Sequence, residues 1–437
     1  MRRTVAEHQQ AVERLLRQSW AAQPASVMND GGASVALRQA LGRVLADDLV
    51  APLDLPPFAN SQMDGYAIHI PSGQPESIDS SESTSYRVAE TIPAGAVPTE
   101  LLPGEAAPIM TGAMIPPGAN AVVPIERAVP ARFAAAGETV GLPGTPAGKF
   151  VRGQGSDVQR GSVVIAAGTV LNAAHLGLAA ALGCTELAVR RRARVLLLTT
   201  GDEVLAPGDP AAADGLPAGM IFDANEALLN ACLQEAGVEV VHSEVINDDP
   251  AALLRLLEAS VGVVLGGLGK PSPGYDFVMS VGGISAGAFE VVRQALGAAG
   301  SAAEMEFLPV ALQPGGPQGL GTFRGVPFLG FPGNPVSAFV SFELFLRPAL
   351  SAVLGAPVRR HQVIAILEHA ISSPLGKHQI RRGIYSGPEF ESAASVREVG
   401  GESSHLLGSL AQANALINIP SGVTELQAGA KVEVWLL

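Results

Sequence analysis

Cysteine is nearly absent from this chain. Two residues, Cys184 and Cys232, occur among 437. They are too few for a disulfide framework or a four-cysteine zinc site, and a reducing compartment is the default expectation. Lysine is almost as scarce, with four residues among the 28 basic ones. There is no dense basic cluster: the nearest, Arg190, Arg191, Arg192 and Arg194, flanks a predicted strand. With a net charge of −13, no nucleic-acid partner is expected. A signal-peptide pattern is also missing. The segment "TVAEHQQAVERLL" carries charges throughout and reads as an amphipathic helix within residues 4–20. Residues 162–184 contain no Asp, Glu, Lys or Arg, but Gly168, Asn172 and His175 interrupt them. A buried strand followed by a buried helix is expected there, and no membrane span. Walker loops, dinucleotide fingerprints and zinc-ligand His/Cys spacings are all lacking.

What is present is a globular composition, 47% hydrophobic and 16% charged, over a length that calls for two to four domains. A second helix is predicted after Ser34 as N-cap, with Leu37, Leu41, Val44 and Leu45 on one face. From about 46 to 160, Pro and Gly punctuate short apolar runs, a β-rich texture that looks like an insertion. Residues 193–350 alternate strand-like and helix-like segments, which argues for a mostly parallel α/β sheet. From about 355, short β-like runs such as "ANALINIP" and "AKVEVWLL" predict a small β domain. "VVLGGLGKPSPGY" (263–275) fits neither pattern and reads as a loop.

Three glycine-bearing turns each follow an apolar strand: "TTGDE" (199–203), "SVGGISAG" (280–287) and "FPGNPVS" (331–337). Open α/β sheets bind ligands beyond the carboxyl ends of their strands. Glycines there admit an anion to backbone N–H groups, and a helix N-terminus adds partial positive charge. Candidate ligand contacts are Gly201, Gly282, Gly283, Ser285, Pro332, Gly333, Asn334, Pro335 and Ser337. Asn334 is the expected cap and Pro335 the first helical residue. Carboxylates recur at the same places: Asp202, Glu203, Asp223, Asp248 and Asp249. Asp223 and Asp249 read as helix caps. Glu203 lies past a strand end, where no cap is needed, and hard oxygen ligands of this kind suit Mg²⁺ bridging substrate phosphates.

The ordered motifs "PPFANSQMDGYA" (56–67), "IMTGAMIPPGANAVVPIE" (109–126), "GSDVQRG" (155–161), "TTGDEV" (199–204), "NDDP" (247–250), "SVGGISAG" (280–287) and "FPGNPVSA" (331–338) resemble the MoeA family. This is the family of molybdopterin molybdenumtransferases, to which the gephyrin E domain is related. The resemblance covers nearly the whole chain. It implies a multidomain α/β fold with four parts. These are a three-layer αβα molybdopterin-binding domain (1–26 plus 193–350), a linking α/β domain (27–45 plus 161–192), an inserted β-rich domain (46–160) and a C-terminal β-barrel-like domain (351–437). It implies a cytoplasmic homodimeric enzyme that inserts molybdate into adenylated molybdopterin with Mg²⁺-assisted release of AMP, downstream of a molybdopterin adenylyltransferase. Its cleft would lie between the αβα domain of one subunit and the inserted domain of the other. Family site residues fall on Thr111, Asp157, Glu203, Asp248, Pro332 and Pro335. Arg382 in "IRRGIY" and Ser404 in "ESSH" resemble oxyanion contacts, and Asp64 and Arg152 would shape the inserted domain's side. Glu290 takes the place of a family acidic residue and joins Asp202, Glu203 and Asp248 as a metal-ligand candidate.

The chain departs from the family where lysines are expected, at Gln313 and Gly316 in "VALQPGGPQG" (310–319), and Ala59 replaces an aspartate. Two other readings therefore stand beside the insertase: a divergent paralogue with altered oxyanion handling, such as tungstate preference, and a non-catalytic scaffold. Lys270, in the 263–275 loop, is a candidate source of a replacement charge.

Overall fold

A computed structural model describes residues 2–21, 33–71, 83–261, 274–285, 290–388 and 393–437. Lys270 and most of the 263–275 loop lie outside the described residues. The central sheet has six strands in the order Glu239–Ile246, Arg194–Thr200, Phe277–Val281, Val326–Phe331, Pro317–Phe323, Ala303–Pro309. The first four run parallel and the last two join antiparallel.

The runs "RVLLLTT", "FVMSV" and "VPFLGF" are apolar almost throughout because both faces of these strands are covered. Alternation along one strand then separates two cores. Val195 and Leu197 face Leu229, Leu233 and the long helix that begins at Pro335. Leu196 and Leu198 face Leu253, Leu257, Val291, Val292 and Leu296. Helices thus cover both faces, giving three layers. The N-terminal helix Val5–Ala21 joins the first core through Val5, His8, Val12 and Leu16. The His8 ring stands edge-on to Phe345 at 4.6 Å. The continuous helix Pro335–Leu354 has the length and composition of a membrane span, yet 78% of its apolar 18-residue window is buried inside the protein. It contains a π-helical turn, Phe342–Leu346, that carries Glu343.

Two corrections concern the linking region. Ser34 does not begin a helix. Ala33–Ala36 is a strand paired antiparallel with Glu186–Val189, followed by a single 3₁₀ turn, Leu37–Gln39. The Ser34 hydroxyl donates to Glu186 Oε2 at 2.6 Å instead of capping. Gly42, at φ 72°, turns the chain, and Val44 and Leu45 then bridge to Val170 and Val189. Pairing between distant segments overrides the local apolar spacing. The helix expected to be buried within 162–184 is mostly exposed, with Ala179 as its buried residue, and His175, which interrupts that run, has a local role. It closes a capping box with Asn172 at the start of helix Ala173–Ala181.

The inserted region forms a five-stranded sheet ordered Ala121–Pro124, Gly65–Ile68, Glu105–Ile109, Ser83–Val88, Thr139–Pro143. In the C-terminal region five strands close on themselves. His378–Ser386 pairs with Ser395–Glu398, which pairs with Gln362–Leu367; then follow Lys431–Leu436 and Ala415–Ile419, which returns to His378–Ser386. Leu312–Gln313, from the αβα region, adds a short parallel pairing to this barrel at His378 and Gln379. Gln313 therefore sits on the seam between barrel and central sheet.

Candidate functional site

A cleft of about 1000 Å³ opens where these parts meet. Because the strands 194–200, 277–281 and 326–331 are adjacent and parallel, their carboxyl ends bring the three glycine turns side by side. A Cβ on Gly333 would lie 3.4 Å from the Gly282 Cα. Gly201, Glu203, Asp248, Gly282, Gly283, Ser285, Glu290, Pro332, Gly333, Asn334, Pro335, Ser337 and Ser404 all line this one cleft.

The first two turns need glycine for a steric reason. Gly282, at φ +92°, would place a Cβ 2.7 Å from the Thr200 Oγ1. Gly201, at φ +144°, would place one 2.6 Å from Glu203 Oε2. The third turn differs in detail. Pro335 is the first helical residue and Asn334 occupies the cap position, but the Asn334 side chain makes no capping hydrogen bond. Ser337 is buried at the base of that turn.

The carboxylates divide into structural and cleft-facing groups. Asp223 is buried and accepts from Thr199 Oγ1 at 2.6 Å, Asn225 N at 2.8 Å and Glu226 N at 3.1 Å. It closes a helix start, although it also reaches the cleft wall. Asp249 accepts from Ala251 N at 2.9 Å and serves its own helix. Asp202 is not on the cleft wall; its Oδ1 accepts the Asp248 N–H at 2.8 Å and fixes that neighbour. Glu290 Oε2 accepts from Ser285 N at 2.7 Å, which ties the second turn. The Asp248 carboxyl is held above the ordinary carboxylate range, first by burial and then by the charge of Asp202, with Glu203 and Glu290 adding to it. Among the described residues, no three His, Cys, Asp or Glu side chains form a ready metal cage. The cleft carboxylates instead fit the pattern of one or two protein ligands completed by substrate oxygens.

Four predicted residues lie elsewhere in the chain. Asp64 Oδ1 accepts from Thr111 N at 2.6 Å and from Thr111 Oγ1 at 2.7 Å. Those bonds hold the Asp64 carboxyl below its ordinary pKa. Arg152 lies on the Val151–Arg152 strand paired with Asn60–Ser61, and Asp157 N donates to Leu55 O at 3.0 Å. All four belong to the inserted region and are absent from this chain's own cleft wall. Arg382 is set back from the cleft wall. It is 1% exposed, its Nη2 donates to Gly401 O, and it does not line the cleft. Its guanidinium supports the 399–402 turn, and its position pairs with Leu416 on the strand face turned toward the αβα core, opposite the barrel-facing positions Arg381 and Gly383.

Gln313 and Gly316 do line the cleft. Gln313 Nε2 donates to Glu402 Oε2 at 3.4 Å. Among the further wall residues that local patterns did not single out are Arg2, Asn225, Lys377, Glu402 and His405. Arg2 and Lys377 come from the N-terminal segment and a barrel turn, remote in sequence from the three strand-end glycine turns. The Asn225 Nδ2 donates to Gly333 O at 2.7 Å, stitching two turns together.

Residues 3–183 match the family described as MoeA N-terminal region (domain I and II). Residues 196–352 match a probable molybdopterin binding domain, and 365–437 the MoeA C-terminal region (domain IV). The chain is 40% identical to molybdopterin molybdenumtransferase 2 of Mycobacterium tuberculosis, over 99% of each chain. It is 32% identical to the molybdopterin molybdenumtransferase of Nostoc sp., over 92% of this chain and 87% of that one. The crystal structure of the molybdopterin biosynthesis moeA protein from Pyrococcus horikoshii superposes with a TM-score of 0.76, at 26% identity and with both chains fully covered.

Proposed function

The chain belongs to the MoeA family of molybdopterin molybdenumtransferases and acts in molybdenum cofactor biosynthesis; from that premise we propose that its cleft inserts molybdate into adenylated molybdopterin and releases AMP. The observation that carries this reading is the convergence of three glycine turns from adjacent parallel strands with Glu203, Asp248 and Glu290 on one wall. Glycine turns let backbone N–H groups approach the pyrophosphate oxygens. Ser337 offers a hydroxyl from the base of the third turn, and Ser404 offers one from the barrel side.

Glu203, Asp248 and Glu290 are the residues that would hold Mg²⁺, which when bound supplies positive charge to the pyrophosphate as AMP leaves. Asp202 orients Asp248 through its backbone. Gly201 lets the Glu203 carboxylate lie close over the end of its strand. The protein's contribution is positioning and preorganised electrostatics in a walled cleft. We place the inserted region's group, Asp64, Thr111, Arg152 and Asp157, opposite the cleft of a second subunit in a homodimer. The reaction then follows an adenylyltransferase step in the cytoplasm.

The direct test is incubation of the purified protein with adenylated molybdopterin and molybdate, with and without Mg²⁺. AMP release and active cofactor are expected only when Mg²⁺ is present. Their absence, alongside a working homologue, sinks the proposal. A second reading, altered oxyanion preference, is favoured by one observation: Gln313 and Gly316 stand on the wall without a charge. Replacing molybdate by tungstate in the same assay measures it. The cleft-facing placement of Glu203 and Asp248 argues against a non-catalytic scaffold.

A further inference from the structure

The cleft is acidic, yet the substrates assigned to it are anions. Glu203, Asp223, Asp248, Glu290 and Glu402 line it. Among the described residues on its wall, only Arg2 and Lys377 carry a permanent positive charge. The basic groups of the adjoining barrel strand do not line it: Arg382 Nη2 donates to Gly401 O, and Arg381 pairs with Glu398 at 3.0 Å and with Glu402 at 3.5 Å.

Backbone hydrogen bonds tie both cations to one short segment. Arg3 N donates to Pro309 O at 3.2 Å, and Ala311 N donates to Arg3 O at 2.8 Å. His378 N donates to Ala311 O at 2.8 Å, and Leu312 registers with His378. Arg2 precedes Arg3 and Lys377 precedes His378. Each cation is therefore one residue away from a bond to the 309–312 segment, which runs directly into the uncharged lip at Gln313 and Gly316. Consecutive side chains of extended backbone point to opposite faces. The Arg3 guanidinium turns away to Glu306 at 2.7 Å, and the His378 ring is held by Asn418. Arg2 and Lys377 are left to the cleft.

We propose that Arg2 and Lys377 form the anion-binding wall of the cleft and take a tetrahedral oxyanion, either a phosphate of the nucleotide-bearing substrate or molybdate itself. The positive charge has moved from the lip to the two segments bonded beside it. This inference rests on the reading of the cleft as an anion site, and its test does not depend on turnover.

Equilibrium titrations with inorganic molybdate and, separately, with AMP would compare wild type, Arg2→Gln, Lys377→Gln, the double variant and the charge-keeping pair Arg2→Lys and Lys377→Arg. Thermal melts would confirm that each variant folds. Each Gln variant is expected to weaken one of the anions about five- to tenfold, and the double variant more than about 30-fold, while the charge-keeping pair stays within about twofold. Loss in the molybdate arm identifies molybdate as the occupant, and loss in the AMP arm identifies the phosphate. Equal affinity of wild type and the double variant for both anions overturns the proposal, and so does a wild type that binds neither. AMP release from adenylated molybdopterin is measured separately. An inactive wild type with charge-dependent anion binding overturns the functional reading and supports this one.

Discussion

The Glu203 carboxylate lies against the Cα of Gly201, so close that a Cβ on Gly201 would meet Glu203 Oε2 at 2.6 Å. Gly201 also holds φ +144°, where a side chain is strained regardless of space. Gly201→Ala is therefore expected to displace the carboxylate, with a stability loss of about 1–3 kcal/mol and at least a tenfold fall in AMP release. Glu203→Ala should fold and lose that release. In the Glu203→Ala background, Gly201→Ala should cost measurably less stability than alone, because the nearer clashing group is gone and only Val204 Cγ2, 2.9 Å from the Cβ position, remains. Denaturant unfolding of the four proteins checks this. Strictly additive losses would place the Gly201 requirement in the backbone and Val204 and remove Glu203 from it.

His8 gives the fold a pH dependence. Its ring is 1% exposed, packs on Phe345, and its Nδ1 has no partner among the described residues. Burial, with the nearby Arg3 charge, pushes its pKa down from 6.5 to about 4. The unfolded chain therefore binds a proton below about pH 6.5 that the folded chain refuses until about pH 4. Stability falls as pH drops through that window, by at most about 3 kcal/mol. His8→Phe should flatten that part of a stability–pH profile measured by urea unfolding. An unchanged slope between pH 6.5 and 4 would assign it to other groups.

Much of the cleft was legible because its signals are local. A strand, a glycine turn and a helix start occupy consecutive residues, so "TTGDE", "SVGG" and "FPGNP" could be placed on one sheet edge before any coordinates. Asp223 and Asp249 were legible as caps for the same reason. Positions set by distant pairing were not. The apolar spacing of Leu37, Leu41, Val44 and Leu45 imitates a helix, yet a strand and two bridges satisfy it. Arg382 matched a motif, but a motif gives register along a strand, not the face on which the side chain is buried. Arg2 and Lys377 lie about 375 positions apart in the chain, and only the bonds of the 309–312 segment bring them to one wall.

The π-helical turn at Phe342–Leu346 has a structural consequence. It presents Glu343, with a fully buried side chain, to Arg347 at 3.2 Å and Arg360 at 2.9 Å, and both arginines also reach Glu235. Arg360 lies just before the first barrel strand, so the network clasps the barrel to the αβα region. Removing one partner strands buried charge. Glu343→Ala should destabilise by about 3–5 kcal/mol, whereas Glu235→Ala, at the exposed edge of the network, should cost under about 1 kcal/mol. The buried Cys232 borders this network. Burial, with Glu343 and Glu235 nearby, drives its pKa up to about 12. One thiol, Cys184, should react with a thiol reagent in native protein, and a second should appear together with loss of the clasp in Glu343→Ala. Equal stability of the two Glu variants would remove the clasp from this account.

The uncharged lip can be tested by adding charge. Gly316 has no positive φ, and a Cβ there would meet only the Leu312 and Val310 carbonyl oxygens at 3.4 Å, ordinary contact. Gly315, by contrast, stands at φ +100° with Ser341 Oγ 3.1 Å from its Cβ position, so it is unsuited to a side chain. Gln313 already spans toward Glu402. A lysine at 313 would find that carboxylate as a competing partner, while a lysine at 316 has none in the described lip. Gly316→Lys should therefore raise molybdate affinity more than Gln313→Lys, by about five- to tenfold against about twofold or less. The gain should shrink with added salt, because the lip is open to solvent. In the Arg2→Gln, Lys377→Gln background, Gly316→Lys should restore part of the lost affinity, about five- to tenfold of it, since a charge returns beside the segment that carries both cations. Affinity unchanged by Gly316→Lys in both backgrounds would show that the oxyanion binds away from the lip.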